Sequence, residues 1–200
     1  QFAAGMSSLT KGAIAGAALF AGKQLLDFAR SSIIAASAAQ EAAGAFDTTF
    51  GGAAANLSKE LEKNANLFGL TTSEAKQLVS VMGSVAQGVG FTQQESADLS
   101  SKLFELSGDI ASFNNVSQGA LPVLNAFRNA IVGERESLAT YGIKILETEV
   151  QQKALTMGLA KTTAELSLQD KALATIELAF DKASVQQGNA AGATRGSGSD

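Results

Sequence analysis

Cysteine, histidine and tryptophan are absent from this 200-residue chain, and proline occurs once. Without cysteine there is no disulfide, thiol nucleophile or thiolate metal site. Without histidine there is no imidazole acid/base chemistry, and nearly every zinc or iron site goes with the two together. Aromatic content is low at 6%, and β-branched and aromatic stretches are too sparse for an all-β chain. A long uninterrupted apolar run is also missing. The nearest approach is Gly12 to Gly22, 11 uncharged residues between Lys11 and Lys23, where a spanning helix needs roughly 20. Because helical patterning continues past it, the run does not read as a signal peptide. The net charge of −4 argues against a phosphate-binding surface, which wants clustered Lys and Arg, so no specific nucleic-acid binding is expected.

What is present is alanine and glycine. The apolar fraction is 46%, much of it alanine, and glycine contributes 20 residues. Alanine is the best helix former, and small side chains let helices pack closely, so the expected class is all-α. The expected architecture is a long N-terminal helix followed by a compact bundle of about six short helices, in three parts: 1–45, 46–186 and a linker at 187–200. The chain begins at Gln1 and is expected to be a piece of something longer.

Residues 8–45 read as one helix, about 55 Å long at the helical rise. Leu19, Leu26 and Ile33 recur every seven residues, with Gly12, Ala15, Gly22, Ala29 and Ala36 between them. This spacing is that of a coiled-coil seam of large and small knobs. Phe20, Leu25, Phe28 and Ile34 widen the stripe, so an amphipathic helix lying on its own domain remains the alternative. Gly44, Gly51 and Gly52 mark the junction to the bundle.

Helices are then expected over 57–67, after Thr71, after Thr92, over 118–132, over 147–160 and over 168–184. Thr71-Thr72-Ser73-Glu74 and Thr92-Gln93-Gln94-Glu95 both have capping-box spacing, and the helices they open predict a hairpin around Gly88–Gly90. Asn114, Asn115 and Ser117 offer capping oxygens to the next helix, in which Pro122 sits slightly deep. Ser167 suits the N-cap of the last helix.

The most informative stretch runs from Asn129 to Ile145. It reads as two helical pieces broken at Gly133 and stopped again at Gly142, with a short extended piece over 143–145. Glu134 and Glu136 fall in the turn after the first break, where carboxylates meet unpaired N–H groups. With Glu147 and Glu149 they form the one notable acidic group, and paired carboxylates can serve glycoside hydrolysis. No aromatic sugar platform accompanies them, and a solvated helix face is the simpler reading. Gly83, Gly88 and Gly90 lack phosphate-loop spacing, and Gly12–Gly16 is a lone small-xxx-small match. No catalytic residue, metal ligand or cofactor site is assigned.

Taken in order, several pieces resemble the tape measure proteins of tailed bacteriophages. They are Ala111-Ser112-Phe113-Asn114-Asn115, Ile131-Val132-Gly133-Glu134 and Leu138-Ala139-Thr140-Tyr141-Gly142-Ile143. Leu166 to Ala172 and Gln187-Gly188-Asn189 follow. The resemblance covers roughly residues 45–195, and it is the order of five pieces that is specific, not any one. Ser137 stands where that family often has proline, and the helix before residue 45 is generic.

The resemblance implies a structural protein, not an enzyme, in the lumen of the tail or at its tip. It would set tail length during assembly and take part in genome ejection. Implied partners are further copies of the chain, most simply three, with tail tube and tail tip or hub proteins, tail assembly chaperones, and the host envelope at infection. Two readings of other classes stand beside it: a membrane-active module aiding DNA passage, and a cell-wall hydrolase domain.

Overall fold

Glycine and threonine punctuation cuts the chain into helices, and the computed structural model, which describes residues 37–187, shows what they build. Among the described residues every regular element is helical and no strand occurs, as the composition predicts. Residues 37–50 are helical (α1). After them come α2 (Ala54–Asn64), α3 (Thr72–Gly88), α4 (Gln93–Phe113), α5 (Leu121–Ile131), α6 (Glu147–Thr156) and α7 (Leu168–Lys182). Short 3-10 turns occupy Gly51–Ala53, Asn66–Phe68, Glu136–Tyr141 and Thr163–Glu165. The chain divides into two units, Gln1–Glu41 and Ala42–Asp200, and the core lies in the second. Most of the expected long helix, with the Leu19, Leu26 and Ile33 seam, lies outside the described residues, as does Gly188.

The end of α1 is a working part of the bundle. Helix continues through Gly44 to residue 50, further than its glycine suggests. Phe46 and Phe50 supply the reason: both are buried, with ring centroids 5.0 Å apart in an edge-to-face contact. Tertiary burial of two aromatic rings outweighs the roughly 1 kcal/mol that an interior glycine costs. The last carbonyls of α1, which have no helical partner, accept side-chain amides: Gln87 Nε2 donates to Thr49 O at 2.8 Å and Gln93 Nε2 to Thr48 O at 3.4 Å.

The α3–α4 hairpin is the centre of the bundle, and its start signals are the ones predicted. Thr71 Oγ1 accepts from the Glu74 N–H at 3.2 Å while the Glu74 carboxylate accepts from the Thr71 N–H at 2.8 Å. Thr92 and Glu95 repeat this at 3.2 and 2.8 Å, and Ser167 opens α7 with Asp170 in the same way at 3.1 and 2.9 Å. Glycines on both helices of the hairpin admit rings from the segments packed against it. Gly83 on α3 is a socket for the Phe50 ring and Gly108 on α4 a socket for the Phe68 ring, because a Cβ at either would overlap ring carbons. Phe68 also stacks edge-on with buried Phe104, centroids 5.0 Å apart.

Three local expectations need correction. Asn114 and Asn115 close α4 and do not open α5: the Asn114 amide donates to Ile110 O at 2.8 Å, and Asn115 takes a left-handed conformation at φ 52°. Helix α5 instead begins at Leu121, with Ala120 as N-cap and no side-chain cap. It starts late because Gly119 is pinned against Phe68, where the Ala120 N–H donates to Phe68 O at 3.3 Å. Pro122 therefore falls in the first turn, where its missing N–H costs nothing. Glu134 precedes the 3-10 turn, whose first turn holds Glu136 alone of the two.

Candidate functional site

The stretch 129–147 builds its own site from two helix stops. At the first, the Gly133 N–H donates to Ala130 O at 3.1 Å and the Glu134 N–H to Asn129 O at 2.9 Å. At the second, the Gly142 N–H donates to Ala139 O at 3.0 Å and the Ile143 N–H to Leu138 O at 3.1 Å. Both are Schellman closures, and both glycines are left-handed, at φ 104° and 80°. They differ in what comes next. Ile143 is buried against the core beside buried Leu138, whereas Glu134 points into solvent. The first stop is therefore open and polar, and the second is plugged.

Between the stops, the turn Glu136–Tyr141 is fastened to the end of α7. Gln186 Nε2 donates to Tyr141 O at 3.1 Å, from a side chain that is itself buried. The piece 143–146 is non-helical, as expected, and buries Ile143 and Ile145 while leaving Leu146 half exposed. A groove of about 330 Å³ results, lined by Gly133, Arg135, Glu136, Lys144, Leu146 and Glu147 among others.

Arg135 organises this groove. Only 12% of its side chain is exposed; Nε donates to Thr175 Oγ1 at 3.0 Å and one terminal nitrogen pairs with Glu147 at 2.9 Å. Lys171 meets the other oxygen of Glu147 at 3.0 Å. Burial pushes the Glu147 carboxyl upward, but the Lys171 hydrogen bond and the nearby Arg135 and Lys171 charges outweigh it, and the net direction is down. Glu149 is also held below the usual carboxylate range, first by its hydrogen bond from Lys182, then by the Leu146 N–H it accepts at 2.8 Å. A general acid at neutral pH needs the opposite shift.

The residues carrying the tape measure resemblance are not gathered in one place. Phe113 is about half exposed at the end of α4. Asn115 lines a second groove of about 350 Å³ with Leu67, Gly69 and Gly119, which shares no lining residue with the groove at Gly133. What Phe113-Asn114-Asn115, Gly133-Glu134 and Gly142 have in common is a job: each closes a helical piece. Sequence reasoning did not find Arg135 and Lys171, whose partners sit 12 to 40 residues away in the chain and leave no local pattern. Among the described residues no group of His, Cys, Asp and Glu side chains could hold a metal ion. No helix among them is long and apolar enough to cross a membrane.

No family model, curated protein or solved structure matches the chain.

Proposed function

We propose that this chain is part of a tape measure protein of a tailed bacteriophage, and that residues 45–190 are a folded station on the ruler near the tail tip or tube end. The observation that carries the reading is the ordered series of helix closures at Phe113-Asn114-Asn115, Gly133-Glu134 and Gly142, with the segments at 166–172 and 187–189 after them. In this chain the first three of these are structural caps, which accords with a structural role. A tape measure needs extended helix, because its length scales with residue number at the helical rise. The α2–α7 bundle is too folded to serve as a ruler, so its use would be contact: with tail tip or hub and tail tube proteins, with other copies of the chain, and with assembly chaperones before incorporation.

The ion pairing of Glu147 and Glu149 supports this over the hydrolase reading, since both carboxylates are held in their charged forms. The membrane-active reading rests chiefly on the Ala13–Ala21 region, which lies outside the described residues. The test is a density map of the intact tail. Copies of a six-helix bundle arranged about the tail axis, in threefold or sixfold order, are expected at the tip or tube end. A tail that contains the full-length protein but no bundle density at either end would sink the proposal.

A further inference from the structure

Four ion pairs cluster between Arg135 and Lys182. Three of them join α6 to α7: Glu147 to Lys171 at 3.0 Å, Glu149 to Lys182 at 2.8 Å and Lys153 to Asp181 at 2.7 Å. Helix α6 has little else. Its buried side chains are Val150 and Ala154, and α7 is the one helix against which it packs to any extent. Helix α4, by contrast, buries Leu99, Leu103, Phe104, Leu106 and Ile110 among neighbours on several sides. Beside the seam between α6 and α7 lies a shallow surface groove of about 400 Å³, lined by Thr148, Glu149, Gln152, Lys153 and Thr156 of α6 with Leu178 of α7.

We propose that α6 is an ion-paired arm, which swings off α7 as a unit when its charges are screened while the α2–α5 bundle stays folded. The ends of the arm suit this. Ile145, just before it, is buried, and Leu159, just after, packs on the core, so the arm opens as a tethered loop. Gly158 forms the far hinge at φ 74°, with open space where a Cβ would stand. The charged groups facing the arm are Lys171, Glu177, Asp181 and Lys182 from α7, with Arg135 and Lys144 from the segment before it. Its ion-paired side chains are 26% to 59% exposed on the Lys153–Asp181 pair and comparably open on the others, so salt reaches all three α6–α7 links. Opening uncovers the α7 face behind Val150 and Ala154, a strip available only in the released state. The device is independent of the tape measure reading, because it is a property of the fold.

Hydrogen exchange followed by mass spectrometry on the whole chain at pH 7, in 0.05 M and then 1 M NaCl, tests it. The Debye length falls to about 3 Å at 1 M salt, shorter than the reach of a solvated pair. Amides of 147–156 should exchange about tenfold faster relative to those of 93–113 at high salt. The Glu147→Gln, Glu149→Gln double variant should show the faster exchange at low salt already, with most of the salt response gone. If 147–156 and 93–113 respond to salt in step, or if the double variant keeps the full response, the arm does not exist.

Discussion

At the scale of single residues, what matters most is the absence of side chains. Gly83 and Gly108 stand in helix interiors, where replacing glycine by alanine ordinarily gains up to about 1 kcal/mol. Here the sign reverses, because the new methyl would overlap the Phe50 or Phe68 ring. Gly108→Ala and Gly83→Ala are each expected to cost about 1–3 kcal/mol, read as a lower urea midpoint at unchanged slope. The buried hydroxyls of Ser96 and Ser100 make the opposite case. Neither has a hydrogen-bond partner, although Ser107, on the same helix, donates to Leu103 O at 2.6 Å. Ser96→Ala and Ser100→Ala should therefore each stabilise, by up to about 1 kcal/mol in the same measurement. Neither effect was legible in the sequence. A glycine at a turn and a glycine in a socket look alike until the ring that fills the socket is placed, and Phe50 and Phe68 are 33 and 40 residues from theirs.

At the scale of elements, local chemistry was legible and long-range chemistry was not. The Thr71, Thr92 and Ser167 boxes are each written within four consecutive residues, so their helices start where expected. Asn114 and Asn115 were misread because an asparagine between two helices can close one or open the other, and only the position of Gly119 against Phe68 decides. The ends of α4, Glu136–Tyr141 and α6 share one device, a Schellman closure followed by an apolar residue: Val116, Ile143 and Leu159. Gly133 departs from it by placing Glu134 there.

Charge divides the elements further. Burial first, then Glu60 and Asp109, raise the Glu105 carboxyl above its usual range, against a hydrogen bond from Asn64. The stability linked to a raised carboxyl is fully present below its unfolded-state value and lost as pH rises through the folded one. Glu147 and Glu149 are lowered, so theirs is present above the unfolded-state value and lost as pH falls through the folded one. Glu105→Gln should thus raise the urea midpoint at pH 7, and the gain should disappear below about pH 4, where wild-type Glu105 is neutral in both states. Glu147→Gln should be destabilising at pH 7, begin to lose its effect only below the unfolded-state value, and become neutral only once pH has fallen through the lowered folded-state value. Equal effects of either substitution at both pH values would show that the assigned ionisation is wrong.

For the whole molecule, the all-α class followed from alanine abundance and the near absence of proline, and it is the class observed among the described residues. The helix arrangement did not follow, since it depends on which small residues meet which rings. The proposed role separates two kinds of helix: extended segments that measure and a folded station that makes contacts. Tail length in phage carrying an in-frame deletion of residues 45–190 tests that separation most directly. As extended helix this stretch would span roughly 220 Å. If it is a folded station, tails that still assemble should shorten by much less than that, or tail initiation should fail outright. Tails that assemble normally and are shorter by the full 220 Å or so would contradict the account.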